Sequence, residues 1–323
     1  MREKKKFAER TKILSSREVR KKYFLVYEGE ETEDIYFDAV DKLREEIRIN
    51  PLIELVPIVR SYSEKGWSNP KKIVERVILN VQEVKMGEIS YETLLNRIME
   101  YFEEEGYIVN NRPLAKSMWG TLQWICQEKL RVKLDENVED VTKSCKRILE
   151  ILEEERGLEN LIQNVTEIVN FANITFAEGF DKICFIVDRD RKSFTERQYD
   201  YVVTECQKRK FGLYLTNPCF EFWLLLHFED VQKLDEEQLL ENQSVTSKRK
   251  YTEQELRMRM PNYKKSGYDA EMLVRKVDLA IQNEKKFCEE IEQLKEDVGS
   301  NVGLLLCEMR EENEKDSLNA KDI

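Results

Sequence analysis

Residues 24–37 read FLVYEGEETEDIYF, and this stretch decides the fold. Its apolar start predicts a buried strand over 23–28. The 3–4 spacing of the apolar residues that follow predicts a helix over about 33–48, with Thr32 as its N-cap. An acidic cluster lies between the two elements. Carboxylates crowded together repel one another unless a cation offsets their charge, so one explanation of the stretch is a bound cation.

Strand and helix patterns alternate in two parts of the chain, 23–86 and 179–310. The order β-α-β-α in each part predicts an α/β domain with a mostly parallel sheet flanked by helices. The block 87–178 carries only helical spacing and predicts a large helical insertion of three to five helices. The strands are predicted over 23–28, 52–60, 182–188 and 211–216. The other predicted segments are a basic arm over 1–22, a mobile loop over 231–250, a helix over about 268–295 and a charged tail over 311–323.

The composition argues against several classes of protein. The chain has no run of about 18 apolar residues, so no membrane span is expected, and its first residues do not resemble a signal peptide. The seven cysteines are scattered, which is typical of a reduced, cytoplasmic protein. Because His227 is the single histidine, any metal would rest on carboxylates, which favours Mg²⁺ or Mn²⁺. His227 itself lies on an apolar helix and is expected in the core.

Charge is distributed unevenly along the chain. The net charge of −11 argues against a protein that coats nucleic acid in bulk. Residues 1–22 nevertheless carry ten Lys or Arg against three Glu, a local balance of +7. Such an arm either grips phosphates or is a solvated terminus, and both explanations stay open.

Four carboxylates are predicted to meet at one edge of the sheet. Glu28 ends the first strand, Asp188 ends the third, and Asp190 follows it; Glu221 lies in the first turn of the helix after the fourth strand. In an open parallel sheet, ligands bind outside the carboxyl ends of the strands. Two or three carboxylates suffice for Mg²⁺, which polarises a phosphoryl oxygen and activates water. Each acid alone is explained as a turn or first-turn residue, but their coincidence predicts a metal site.

Neighbouring charged residues have two explanations each. Glu30 is a candidate fourth ligand, whereas Glu33 is better explained as an acid in the first turn of a helix. Arg189, Arg191 and Lys192 flank the acidic pair and either hold nucleic-acid phosphates or neutralise the carboxylates.

Two lysines follow Tyr263. Lys264 is a candidate for stabilising transition-state charge, and Lys265 for binding nucleic acid; a solvated turn is the alternative. Phe222 and Trp223 are expected in the core, although aromatic residues near a site also stack bases.

Four motifs in a fixed order resemble the RloB-like family, which is related to the abortive-infection protein AbiLii. The motifs are YFLVYEGEETE at 23–33, FIVDRD at 185–190, TNPCFEFWLLLHF at 216–228 and YKK at 263–265. The resemblance covers about 21–85 and 180–310, whereas 87–178 does not fit the family pattern. Such proteins are similar to Toprim-fold domains, in which a strand-end Glu-Gly and a later D-x-D bind Mg²⁺. Glu28-Gly29 matches the first element, and Asp188 and Asp190 match the second.

The resemblance implies a Mg²⁺- or Mn²⁺-dependent nuclease that acts in bacterial defence against phage. The implied partners are nucleic acid (tRNA, other RNA or DNA) and a neighbouring ABC-type ATPase. Because a freely active nuclease would harm its host, control by a partner or by a second copy of the chain, as a homodimer, is a further hypothesis. Replacement of Asp190 by Ala is then expected to abolish cleavage. Two alternatives stay open: a non-catalytic, metal-binding subunit of a toxin–ATPase complex, and a phosphatase with Asp188 as its nucleophile.

Overall fold

The structure is a computed structural model of the chain. It describes residues 2–3, 20–29, 31–59, 69–86, 89–104, 108, 112–157, 176–246 and 249–319. The chain divides into two compact units. The helical unit comprises Met1–Glu3, Val59–Trp67 and Arg76–Thr175, and the α/β unit comprises Lys4–Ile58, Ser68–Glu75 and Phe176–Ile323.

The α/β unit is built on a mostly parallel sheet. In chain order the strands are β1 Arg2–Glu3, β2 Lys21–Tyr27, β3 Ile53–Val59, β4 Lys182–Asp188, β5 Gly212–Asn217, β6 Ser244–Thr246, β7 Arg249–Lys250 and β8 Gly299–Ser300. Within the unit the sheet order is β3–β2–β4–β5–β8. The neighbours from β3 to β5 pair in parallel, and β8 is antiparallel to β5. The predicted α/β class with a mostly parallel sheet is therefore confirmed.

The central strands carry continuous apolar runs because both faces of the sheet are covered there. Residues 23–27 of β2 and 183–187 of β4 are buried without interruption. This pattern is typical of a parallel strand between two layers of helices. β4 has the predicted bounds, and β2 begins two residues earlier than predicted and ends at Tyr27, so that Glu28 directly follows it.

Helices, joined by turns and irregular segments, make up much of the remainder of the described chain. They are Thr32–Lys42, Pro70–Met86, Tyr91–Glu104, Arg112–Trp124, Val141–Arg156, Glu196–Arg209, Phe220–Leu225, Glu236–Glu241, Tyr251–Arg259, Ala270–Val274, Val277–Glu284, Ile291–Leu294 and Val302–Asn319, with a π-helix over Ile125–Leu130 and a 3₁₀ turn over Val231–Lys233. In the described part of the chain, none is long and apolar enough to cross a membrane.

The helix after β2 differs from the prediction at both ends. Thr32 is its first residue, and Glu31 occupies the N-cap position without a side-chain cap. The helix ends at Lys42 and not near residue 48, because 43–48 form turns. The predicted N-cap is therefore wrong by one residue.

Two further predictions are wrong for tertiary reasons. Residues 231–250 are not one loop, since they hold a 3₁₀ turn, a helix and the β6–β7 hairpin. The single helix predicted over 268–295 is three short helices. After the second of these, the Cys288 N–H donates to the carbonyl of Val298, 3.2 Å away, and this bond draws the chain towards β8.

The helical unit has a core of its own. Apolar residues on Tyr91–Glu104, Arg112–Trp124 and Val141–Arg156 pack into one buried cluster. Asp140 accepts a hydrogen bond from the Lys143 N–H and caps the third of these helices. Residues 158–175 of the predicted helical insertion lie outside the described residues.

His227 is a core residue, as predicted. It is fully buried, and its Nδ1 lies 3.1 Å from the Trp223 carbonyl oxygen. Because a carbonyl only accepts, Nδ1 carries the proton and Nε2 accepts from the Tyr36 hydroxyl, 3.0 Å away. Burial lowers the pKa of His227 to about 3, so the ring is neutral at pH 7. Trp223 and Phe222 are also fully buried in this core.

Candidate functional site

The ends of β2 and β4 bring two carboxylates together. The Glu28 N–H donates to the carbonyl of Ile186, 3.1 Å away, and continues the pairing of the two strands past Tyr27. The Glu28 side chain then accepts a hydrogen bond from the Asp188 N–H, with 2.9 Å between N and Oε2. The parallel register therefore places Glu28 against Asp188, although 160 residues separate them in the chain.

Asp188 also connects the sheet to the helix that follows β5. Its Oδ1 accepts a hydrogen bond from the N–H of Phe220, the first residue of helix Phe220–Leu225, at 2.8 Å. Cys219 holds the N-cap position and supplies no cap of its own. Asp188 therefore satisfies a backbone donor at the start of this helix, which is the helix that carries Glu221.

Glu33 belongs to the same site, although its position in the sequence favoured an ordinary acid in the first turn of a helix. The Gly29 N–H donates to Glu33 Oε1 at 3.1 Å, and the Glu33 residue is only 4% exposed. A Cβ on Gly29 would lie 2.2 Å from Glu33 Oε2. Glycine allows this close approach without a shift of the Glu33 carboxylate, and the Gly that follows Glu28 is the sequence signal that points to Glu33.

The electrostatics show that these carboxylates act on one another. Burial raises the pKa of Asp188 well above its ordinary value, and the charges of Glu28, Glu33 and Glu221 raise it further. Burial, with a contribution from Glu221, raises the pKa of Glu33 to about 7. We call Glu28, Glu33, Asp188 and Glu221 the acidic cluster. Its members cannot all ionise without a compensating cation.

Lys265 supplies positive charge to the acidic cluster. Its Nζ lies 2.6 Å from Glu221 Oε1, and the Tyr263 hydroxyl donates to the same oxygen at 3.4 Å. Burial by itself would raise the pKa of Glu221, but the charge and hydrogen bond of Lys265 outweigh it and lower that pKa. Glu221 is therefore ionised and paired.

The segment 263–268, which carries Lys265, is fixed to the first helix. The Tyr268 hydroxyl donates to the Thr32 carbonyl at 2.7 Å, and the Thr32 hydroxyl donates to the Lys265 carbonyl at 3.5 Å. The Lys264 backbone pairs with Gly267, and the Lys264 side chain is exposed. The structure thus brings Lys265, and not Lys264, to the carboxylates.

Asp190 is placed differently from Asp188. Its Oδ1 accepts from the Lys192 N–H at 3.0 Å, and its Oδ2 lies 3.5 Å from the Nζ of Lys250 in β7. Its side chain is 32% exposed. These contacts stabilise the turn after β4 and connect it to the β6–β7 hairpin. They agree with the alternative in which the second acid of the D-x-D motif stabilises a turn.

The three basic residues of this turn differ in their exposure to solvent. Arg189 is 2% exposed; its guanidinium donates to the carbonyls of Phe194 and Lys295 at 2.6 and 3.1 Å and lies over the ring of Tyr199. This burial corrects the expectation that Arg189 contacts nucleic acid, because a substrate does not reach it.

The other basic residues near the turn are accessible. Arg191 pairs with Glu296, with 3.1 Å between Nη2 and Oε2, and Lys192 is exposed. Glu30, the remaining predicted ligand, lies outside the described residues.

The donors fit a hard divalent cation in their chemistry. All are carboxylates, the ligand type that Mg²⁺ and Mn²⁺ prefer, and their mutual repulsion is what a bound cation would relieve. As the side chains stand, no three His, Cys, Asp or Glu residues within the described ranges are close enough together to hold one ion. Binding would therefore draw the carboxylates of the acidic cluster together.

These features define an α/β protein with a carboxylate site at the carboxyl ends of a mostly parallel sheet. The family model described as "RloB-like protein" matches residues 23–309. The chain therefore belongs to the RloB-like protein family, which confirms the resemblance of its motifs. No curated protein and no solved structure matches the chain.

Proposed function

We propose that this protein is a Mg²⁺- or Mn²⁺-dependent nuclease and that its α/β unit is a Toprim-like domain. The observation that carries the proposal is the contact between Glu28 and Asp188 at the ends of two parallel strands. Burial and three neighbouring carboxylates raise the pKa of Asp188. Carboxylates clustered at a strand end destabilise the folded protein when no cation is bound. Carboxylates are also the ligands that bind the metal ions of phosphoryl-transfer enzymes.

Each member of the acidic cluster has a stated role in this proposal. Glu28, Asp188 and Glu33 would hold the cation, and Glu221 would complete the set. A bound divalent cation would polarise a phosphoryl oxygen and lower the pKa of water. The hydrogen bonds from Asp188 N to Glu28 and from Gly29 N to Glu33 orient two of the carboxylates before any ligand arrives.

An accessible lysine at the cluster suits a polyanionic substrate. Lys265 lies where negative charge on a phosphate would be stabilised. Lys192 and Lys264 are also exposed and lie within four residues of Asp188 and Lys265 in the sequence. Membership of the RloB-like family supports a wider proposal: the protein acts in anti-phage defence, on tRNA, other RNA or DNA, beside an ABC-type ATPase.

The test is a cleavage assay with labelled tRNA, single-stranded RNA and plasmid DNA in Mg²⁺ or Mn²⁺. Cleavage should disappear in EDTA and in an Asp188→Asn variant, whose amide oxygen still accepts from the Phe220 N–H and so preserves the fold. Asp190→Ala, assayed in parallel, tells whether the second acid of D-x-D also takes part. Cleavage that survives both EDTA and Asp188→Asn overturns the proposal.

A second candidate function has one observation in its favour. The Lys265–Glu221 ion pair already compensates part of the charge of the acidic cluster. In a non-catalytic subunit of a toxin–ATPase complex, the site would have a structural role, and this partial compensation of its charge would be sufficient. Mn²⁺ binding without turnover, with the ATPase present, would favour this candidate.

A further inference from the structure

Lys265 and Glu221 form an unusual ion pair. The Glu221 side chain is 4% exposed, whereas the Lys265 side chain is 59% exposed, and yet Nζ approaches Oε1 to 2.6 Å. The lysine therefore reaches the buried carboxylate from the solvent side. Its ammonium contacts the acidic cluster at Glu221.

The backbone of this segment is held independently of the ion pair. Tyr268 donates to the Thr32 carbonyl, and the Arg257 guanidinium donates to the Tyr263 carbonyl at 2.8 Å. The Lys264 and Gly267 backbones bond each other at 2.9 and 3.2 Å. Loss of the Lys265–Glu221 contact would therefore leave the segment in place, since none of these bonds involves the Lys265 side chain.

We propose that Lys265 is an internal counter-ion that competes with the divalent cation for Glu221. The inference rests on the proposed function, because it assumes that the acidic cluster is where the cation binds. Two cations beside one carboxylate repel each other, so entry of the ion drives the ammonium out. The exposed stem lets Lys265 move into solvent without disturbing the core.

When the cation displaces the Lys265 ammonium from Glu221, the ammonium takes up a second position. An ammonium that has left Glu221 is on the solvent side of the acidic cluster, where a substrate phosphate approaches. Cation binding and phosphate binding are then linked, because the same event that loads the site frees Lys265. In the cation-free protein, the ion pair occupies Glu221, so the affinity of the acidic cluster for the metal is lower than it would be without Lys265.

The test is the Mn²⁺ affinity of the full-length protein, measured by isothermal titration calorimetry. Lys265→Met keeps the length of the stem and removes its charge. Lys264→Met makes the same change in net charge at the adjacent, exposed lysine and is the matched control. Lys265→Met should lower the dissociation constant for Mn²⁺ by about tenfold, which is about 1.4 kcal/mol, whereas Lys264→Met should leave it within about twofold of the wild type.

Each other outcome overturns the inference in a distinct way. An unchanged or weaker affinity in Lys265→Met means that Lys265 does not compete with the ion. An equal gain in both lysine variants means that net charge alone is responsible. Thermal unfolding of the Lys265→Met variant with and without Mn²⁺ separates loss of fold from loss of binding, since a folded variant that does not gain affinity contradicts competition.

Different results would contradict the competition by Lys265 and the proposed nuclease activity. If the wild type cleaves with Mn²⁺ and Lys265→Met gains no affinity, the nuclease stands and the competition falls. If Lys265→Met binds Mn²⁺ more tightly but the wild type cleaves no substrate, the competition stands and the nuclease falls. If neither protein binds Mn²⁺, both fall.

Discussion

The backbone N–H of Asp188 donates a hydrogen bond to the side chain of Glu28, with 2.9 Å between N and Oε2. The main chain of β4 thus orients a carboxylate from the end of β2. A catalytic or metal-binding carboxylate that the backbone holds in this way does not have to be ordered when a ligand arrives. The acidic cluster is therefore partly preorganised by the sheet.

Two substitutions at Glu28 separate its structural role from its charge. Glu28→Gln keeps an oxygen that accepts from Asp188 N and removes a charge that raises the pKa of Asp188, so its stability should equal or exceed that of the wild type. Glu28→Ala removes the acceptor and should lose about 1–2 kcal/mol. Urea unfolding measures both values. Equal stability losses in the two variants would contradict this role.

A side chain at Gly29 is expected to displace the Glu33 carboxylate. In Gly29→Ala the new Cβ would lie 2.2 Å from Glu33 Oε2, so the buried carboxylate must move. We expect a loss of about 1–3 kcal/mol in the free energy of unfolding and loss of metal-dependent cleavage.

Gly120→Ala is the matched control for Gly29→Ala. Gly120 lies in helix Arg112–Trp124, and nothing lies within 4 Å of its Cβ position. Alanine there should raise stability by about 0.5–1 kcal/mol. A Gly29→Ala variant as stable and active as the wild type would show that Glu33 is not held by this approach.

Arg189 is expected to affect stability and not nucleic-acid binding. Arg189→Met leaves the buried carbonyl of Phe194 without its 2.6 Å donor and removes the guanidinium from the ring of Tyr199. A loss of about 2–3 kcal/mol in unfolding free energy should follow. Nucleic-acid affinity should keep its dependence on salt, which filter binding measures. The exposed Lys192→Ala should show the opposite pattern: unchanged stability and a smaller salt slope.

Glu284 is expected to make the protein less stable as pH rises. Burial raises the pKa of this carboxyl from 4.5 to about 8, while its Oε1 accepts from the Gly303 N–H at 3.0 Å. Between those two pH values the folded state binds more protons than the unfolded state, so the free energy of unfolding falls as pH increases. Above about 8 this contribution changes no further.

Glu284→Gln removes the titrating group and keeps its shape. The variant should lose less stability between pH 5 and pH 8 than the wild type does, as urea unfolding at a series of pH values would show. Glu237→Gln, at an exposed helix position, is the control and should follow the wild-type curve. Parallel curves for the wild type and Glu284→Gln would contradict the raised pKa of Glu284.

The sheet and three of the four members of the acidic cluster could be predicted from sequence for a simple physical reason. Continuous apolar runs such as KICFIVD mark buried parallel strands, and strand ends in a parallel sheet share one edge. This reasoning located Glu28, Asp188 and Glu221. The core position of His227 followed from the apolar helix around it.

Glu33 and Lys265 were not located because their positions depend on close three-dimensional approaches. Glu33 reaches the cluster because Gly29 has no Cβ, and Lys265 reaches it through bonds between Thr32 and the segment 263–268. The prediction of one helix over 268–295 was wrong for a different reason. Three short helices keep much of the apolar spacing of one long helix, and bonds to distant residues decide where the chain bends.

The most direct test of the central claim is calorimetric titration of Mn²⁺ into the wild type and into Asp188→Asn. The claim is that the acidic cluster binds a divalent cation. We predict binding by the wild type and an affinity that is at least about tenfold weaker in the folded variant. Equal affinities in the two proteins, or no binding by the wild type, would contradict the claim.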